Sequence, residues 1–364
     1  MVDCGRASFI SKSGSFNQTL EITREITREV KEKMAMQELK ITMLGSRNVG
    51  KTTLLTAMYE QFANNMSGID LQLTPEEESS AILQERLIEL KSLFDTFEAS
   101  GGIKGTGGEP EDLRSFLFDL GGKGQPPSLR LNFRDYPGGY LLAKATPEQK
   151  QFVKTLMTEC VAVLVAIDAP ALMEAKGRWH EKINRPQQII DKFATAYQGL
   201  ESPRLVILAP VKCEKYVQSE ELSLELNHRI KEEYKRLFDL FKSEALQSKV
   251  VVVITPVQTV GSVIFSRIDE KDGEPHFMFR KTGHDAKYSP KDSEQPLRYL
   301  LRFLLRLYLS NNRNWEWFGF DLNFLRDVFG YGDEAFINAI RELSKGCKSG
   351  RGFSVLQGHS LLDI

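Results

Sequence analysis

The sequence predicts an α/β fold in three layers: a mostly parallel sheet with helices on both faces, one antiparallel hairpin strand, and helical and hairpin insertions. Three observations predict it. Near-continuous apolar runs at 161–167, 205–208 and 250–254 alternate with helical patterns at about 185–199 and 219–246. Such runs suit strands buried on both faces, as parallel strands between helices are. A strand, a glycine-bearing loop and a helix follow one another over residues 39–62. Finally, strands at 114–120 and 128–134 are joined by Gly121-Gly122-Lys123-Gly124 and Pro126-Pro127, a hairpin with a longish loop.

The elements are justified in chain order. Residues 1–18 are polar and Ser-rich, with no hydrophobic segment of the kind a secretory signal needs. Over 19–36, Ile22, Ile26, Val30 and Met34 form an i, i+4 stripe between alternating Glu and Arg. Residues 1–37 are therefore expected to be a tail and a lead-in helix, packed on the domain or docking a partner. The main domain is expected over 38–311. Within it, Leu39 to Leu44 alternates and is rich in strand formers, and Leu54, Leu55, Met58 and Phe62 mark the helix after it.

Between that strand and helix stands Gly45-Ser46-Arg47-Asn48-Val49-Gly50-Lys51-Thr52, followed by Thr53. G-x-x-x-x-G-K-T between a strand and a helix is a phosphate-binding loop. The glycines let backbone N–H groups wrap a phosphate chain. The Lys51 ammonium reaches the β and γ phosphates, the Thr52 hydroxyl ligates Mg²⁺, and the helix dipole faces the anion. A strand–helix turn with an incidental Lys-Thr pair is the plainer alternative.

A helical insertion is expected over 75–100. Thr74-Pro75-Glu76-Glu77 reads as its N-cap, Pro and capping-box Glu, with a seam of Leu83, Leu87, Leu90, Phe94 and Phe97 after it. A glycine-rich loop, 101–108, contains Thr106. The second hairpin strand then runs into Asp135-Tyr136-Pro137-Gly138. A carboxylate at a strand's C-terminal end can hold Mg²⁺ through water, and a Gly N–H can approach a γ phosphate. Downstream, Asp272-Gly273 between two short strands predicts a hairpin insertion within 262–293. The helix 296–310 is dense in Leu, Phe and Tyr, with Arg298, Arg302 and Arg306 at i, i+4. It is too apolar all round to lie exposed, so it is expected to cover the sheet with a solvated Arg edge. Residues 312–364 are expected to be a small helical extension.

The loop at 45–52, the Asp135-x-x-Gly138 turn after an antiparallel strand, and the order of elements resemble the TRAFAC class of P-loop GTPases over about residues 38–310. The long insertions resemble its bacterial double-GTPase-like branch. The resemblance implies a G-domain that binds GTP and GDP with Mg²⁺. It implies metal ligation by Thr52, Thr106 and Asp135, and catalytic roles for Lys51, Thr106, Asp135 and Gly138. In the base-reading position the class has Asn/Thr-Lys-x-Asp; here Val211-Lys212-Cys213-Glu214 supplies Lys212 and a longer carboxylate, Glu214. The last base-contacting loop would be Thr255-Pro256-Val257, through the Val257 N–H. Ras-like enzymes place a water-orienting Gln after the Asp-x-x-Gly glycine; here that position is Gly139. Arg47 and Arg134 are cationic candidates near the site, each more in keeping with an exposed or structural arginine. The expectation is a slow GTPase switch, completed by a protein partner or a second copy. A nucleotide-holding pseudo-GTPase scaffold and an ATP-using P-loop NTPase are the alternatives.

Composition narrows the field further. The chain of 364 residues is 41 % apolar and 27 % charged with net charge −1. That is ordinary for a globular protein and gives no global field for nucleic acid or an anionic membrane. The four cysteines and five histidines are dispersed, without disulfide or zinc spacing. No apolar run reaches the roughly 18 residues that cross a bilayer. A cytoplasmic protein is the expectation.

Overall fold

The computed structural model of the chain describes residues 38–65, 68–100, 113–136, 138–141, 145–310 and 334–364. The expected tail and lead-in helix, Thr106 and residues 312–333 lie outside the described residues.

The elements run β1 (Glu38–Leu44), α1 (Lys51–Asn65), β2 (Gln72–Pro75), α2 (Glu77–Ser92), β3 (Glu98–Ser100), β4 (Arg114–Gly121) and β5 (Leu129–Asp135). Next come α3 (Pro147–Glu159), β6 (Ala162–Asp168), α4 (Ala169–Met173), α5 (His180–Ile183), α6 (Pro186–Ala196) and β7 (Arg204–Val211). The remainder are α7 (Glu220–Glu233), α8 (Lys235–Phe241), β8 (Val250–Ile254), β9 (Val263–Lys271), β10 (Glu274–Lys281), α9 (Gln295–Leu309), α10 (Glu334–Lys345) and β11 (Ser354–Gln357).

The main sheet has eight strands in the order β11-β8-β7-β6-β1-β5-β4-β2. β5, β1, β6, β7 and β8 are mutually parallel, and β4 pairs antiparallel with β5. This is the predicted three-layer α/β fold. The period-two pleat divides each central strand between two cores. Val163, Val165 and Ile167 face a cluster built with α3, α6, α7 and α8. Ala162 and Leu164 face the other, built with α1, α9 and α10. Full burial of each such aliphatic side chain stabilises by about 1.5–3 kcal/mol.

A second sheet, β3-β10-β9, is three-stranded and antiparallel. Asp272 and Gly273 both take positive φ (52° and 74°), which is what a two-residue hairpin turn with Asp-Gly requires. Under this sheet lies a third core of Leu90, Trp179, Phe265, Phe277 and Phe279 among others.

Five details differ from expectation. Thr74 and Pro75 belong to β2, an edge strand beside β4, and Glu76 is the N-cap with no side-chain bond. Pro is tolerated there because an edge strand can spare its N–H. The helix of the insertion stops at Ser92, not near residue 100. Pairing of β3 with β10 draws the chain out of the helix, and Lys281 N–H donates to Phe97 O at 3.0 Å. Its seam is also divided: Leu83 and Leu90 are buried while Phe97 is 45 % exposed.

The arginines of α9 are not a solvated edge. Arg298 Nη1 donates to Leu343 O at 2.7 Å, Arg302 Nε to Leu362 O at 2.5 Å and Arg306 Nε to Ser360 O at 2.9 Å. They tie the C-terminal segment to the covering helix. That segment is not purely helical, because β11 pairs antiparallel with β8 and extends the main sheet. No helix among the described residues is long and apolar enough to cross a membrane.

Candidate functional site

The site lies at the C-terminal ends of the parallel strands, where β1 runs between β6 and β5. In an open α/β sheet these ends form the crevice in which ligands bind. The chain leaves β1 at Leu44 and reaches α1 within six residues. Gly45 (φ 153°) permits that turn: a Cβ there would meet Val49 Cγ1 at 2.8 Å. Asn48 also takes positive φ, 64°, a region Asn tolerates. Gly50 then opens the helix, with Leu54 N–H donating to its carbonyl at 2.8 Å.

Lys51 is nearly buried, 7 % exposed. Its ammonium donates to Gly45 O at 3.0 Å and Ser46 O at 3.5 Å, so it curls across the loop. The β1–β5 register sets Met43 beside Asp135, which brings that carboxylate to the same mouth. Lys51 Nζ is 3.5 Å from Asp135 Oδ1, and Thr52 Oγ1 donates to Asp135 Oδ2 at 3.3 Å. Among the described residues Oδ1 is buried with no hydrogen-bond donor, although the Lys51 ammonium stands beside it. Gly138 follows within van der Waals reach of the loop. A Cβ on it would lie 2.3 Å from Arg47 N and 2.6 Å from Ser46 C, so only glycine fits. Thus Lys51, Thr52, Asp135 and Gly138, distant in sequence, meet at one place.

The two arginines do not join this cluster. Arg47 is exposed on the loop, and Arg134 Nη1 is 3.8 Å from Glu159 Oε2. Gly139 is exposed.

A cleft adjoins the loop at Gly50 and Thr53 and runs along Lys212, Glu214 and Thr259 to Phe279. It holds about 670 Å³ of empty space, part of it open to solvent. Lys212 follows β7 with a left-handed backbone (φ 54°). Its ammonium donates to Asp168 Oδ2 at 2.6 Å and to Asn48 O at 3.2 Å, which fixes the side chain between β6 and the loop. Asp168 also caps α4 through Ala171 N–H and is 1 % exposed.

Glu214 is buried and accepts Val260 N–H at 3.0 Å and Gly261 N–H at 3.3 Å. Both donors fall on Oε1. Burial pushes its carboxyl above the usual carboxylate range, while the Val260 and Gly261 amides and Lys212 pull the other way. Val257, expected to offer its N–H to a base, does not: that N–H donates to Pro210 O at 2.9 Å. The chain crosses back beside β7 at that point, and it is Thr259 and Val260, further on, that border the cleft.

Asp168 was open to sequence reasoning, since it ends the apolar run 161–167, at the strand end where sites form. Phe279 and Lys281, on the cleft's far wall, carry no such signal.

No protein-family model and no curated protein matches the chain. Among solved structures it is similar to the signal recognition particle receptor SRb-GTP/SRX complex of Chaetomium thermophilum. Identity is 14 %, covering 61 % of this chain and 91 % of that one, with a TM-score of 0.35. It is also similar to an ADP-ribosylation-factor-like GTP-binding protein, the small COPII coat GTPase SAR1 of Encephalitozoon cuniculi in complex with GDP. There identity is 16 %, covering 68 % and 81 %, with a TM-score of 0.30. A third is the Ski7 GTPase-like domain of S. cerevisiae bound to GTP, 15 % identical over 61 % and 43 %, with a TM-score of 0.32.

Proposed function

We propose that this chain is a Mg²⁺-dependent GTP-binding switch with slow intrinsic hydrolysis. The observation that carries the reading is the meeting of Lys51, Thr52, Asp135 and Gly138 at the mouth of the 45–52 loop. Lys51 offsets charge on the β and γ phosphates, as a charge-assisted donor. The loop's N–H groups and the α1 N-terminus receive the phosphate chain. Gly138 leaves room for backbone to approach the terminal phosphate.

The residues present fit Mg²⁺. Thr52 Oγ1 and Asp135 are hard oxygen ligands, 3.3 Å apart at Oδ2, and Asp135 Oδ1 is buried with no hydrogen-bond donor among the described residues, beside the Lys51 ammonium. Among the described residues no group of three or more His, Cys, Asp or Glu converges on a metal. Mg²⁺ suits such a site because it is held by one or two protein oxygens together with substrate phosphates. When bound, the ion neutralises charge developing on the phosphates. Thr106 is the further ligand we assign, on the resemblance.

The base lies along Lys212 and faces Glu214, whose carboxylate prefers the two donors that guanine presents. Gly139 orients no water, so turnover is expected nearer the ~10⁻⁴–10⁻² s⁻¹ of unassisted GTPases than 1 s⁻¹. A protein partner or second copy would complete the site. Titration with GDP and ADP, with and without Mg²⁺, tests the reading together with single-turnover hydrolysis by dilute protein. GDP should bind well above ADP, and Glu214→Ala should remove most of that gap. Equal binding of the two by the unmodified protein would favour the ATP-using reading. A concentration-independent rate above about 1 s⁻¹ would show a catalytic site already complete.

A further inference from the structure

The cleft beside the phosphate loop has a wall that the loop, Lys212 and Glu214 do not explain. Phe279, from the second sheet, faces it together with Leu93 and Phe97. Phosphate needs N–H groups and cations; an apolar, aromatic wall a few ångströms from them needs something flat and apolar attached to the phosphate. From these positions we infer that the inserted β3-β10-β9 sheet supplies one wall of a nucleobase site, with the Phe279 ring stacking on the base opposite the Lys212 side chain. This rests on the nucleotide-binding reading and adds to it a residue outside the G-domain's own strands.

Each wall is tied into the fold. Lys212 is tethered to Asp168 and to the loop at Asn48. Phe279 is 9 % exposed, is paired with Ala99 on one side and Phe265 on the other, and meets the Phe265 ring edge-on at 6.1 Å. The β9–β10 register breaks between Met278 and Phe279, leaving Ser266 unpaired. A bulge of this kind re-aims the side chains that follow it.

Lys212 Nζ stands 6.0 Å from the Phe279 ring centroid. A flat ring between two walls needs about 3.5 Å on each side, roughly 7 Å in all. The gap therefore takes a base after opening by about 1 Å. A purine is the class of ligand the site takes, carried on phosphates in the 45–52 loop.

The test compares a ligand with a base to one without. GDP and pyrophosphate are titrated by calorimetry, with Mg²⁺, into the full chain and its Phe279→Ala and Phe279→Leu variants. Leu keeps apolar volume in the small core and removes only the aromatic face, so it decides the case should the Ala variant not fold. Loss of stacking should weaken GDP by about fivefold or more in Phe279→Ala and at least about twofold in Phe279→Leu. Pyrophosphate affinity should not change in either. Unchanged GDP affinity in the folded variants, or a parallel fall for both ligands, would overturn the inference and leave the phosphate site standing. Pyrophosphate binding by the unmodified protein as tight as GDP binding would also overturn it, since the base would then contribute nothing. Binding of neither ligand to the unmodified protein would instead remove the nucleotide reading itself.

Discussion

Lys51→Ala is the perturbation with the clearest expected magnitude. The ammonium serves two carbonyls of its own loop and stands 3.5 Å from Asp135 Oδ1, with side-chain exposures of 8 % and 12 %. A hydrogen bond from a charged donor contributes about 1.5–3 kcal/mol net. Removing it also strands a largely buried carboxylate, which adds to the cost. We expect the ligand-free protein to lose about 2–4 kcal/mol. At about 1.5 °C per kcal/mol for a domain of more than 300 residues, that is a fall in Tm of about 3–6 °C. Nucleotide affinity should fall at least tenfold, or about 1.4 kcal/mol. The stranded charge supplies an internal control. Asp135→Asn introduced into Lys51→Ala should recover part of the lost stability, a coupling of about 0.5–3 kcal/mol in a double-mutant cycle. Denaturant melts of the four proteins and GDP titrations measure both effects. Strictly additive stabilities would refute the Lys51–Asp135 pairing, and unchanged GDP affinity in Lys51→Ala would refute the phosphate-loop assignment.

Two further outcomes follow from packing and burial. Gly138→Ala puts a Cβ 2.3 Å from Arg47 N, where ordinary contact begins at 3.4 Å, so the segment must retreat by about 1 Å; overpacking of this order costs about 1–3 kcal/mol, read by thermal melting, and an unchanged melt would show that Gly138 does not sit on the loop. His180 is buried and burial lowers its pKa from 6.5 to about 4, with the Arg229 charge acting in the same direction. The folded state thus binds fewer protons there than the unfolded chain between those values, so its contribution is fully present above pH 6.5 and is lost as pH falls toward 4. The ceiling is about 3 kcal/mol, and His180→Phe should shrink the stability lost on acidification; identical pH profiles would remove His180 from the account.

The sequence was legible where chemistry demands residues at fixed spacing. The loop at 45–52 and the Asp135-x-x-Gly138 turn could be read because each position carries its own reason. The buried strands could be read because burial on both faces leaves unbroken apolar runs. What escaped depends on partners far along the chain. Residues 93–100 continue the helical spacing of Leu83 and Leu90, yet the chain turns there and the pairing of Phe279 with Ala99 makes Glu98–Ser100 a strand. Val257 has the right place after β8, but its N–H is taken by Pro210 O, a contact set by β7. The α9 arginines, spaced like a solvated edge, are instead used by carbonyls of residues 343–362. Local pattern gives the element and its type; the assignment of individual donors waits for tertiary contacts.

The edge of the main sheet has a consequence for how the chain reaches this state. Ile254, in β8, pairs with Ser354, in β11, a hundred residues later. Gln357 Nε2 then donates to Phe241 O at 2.9 Å and Val250 O at 3.1 Å, and Asn227 Nδ2 to Gly352 O at 2.7 Å. During synthesis β8 is therefore made with its apolar outer edge uncovered, while the second sheet, α9 and α10 are still emerging from the ribosome. A row of unpaired N–H and C=O groups on a strand of four valines and an isoleucine is a template for any other extended segment. Until β11 docks, that edge exposes the chain to aggregation.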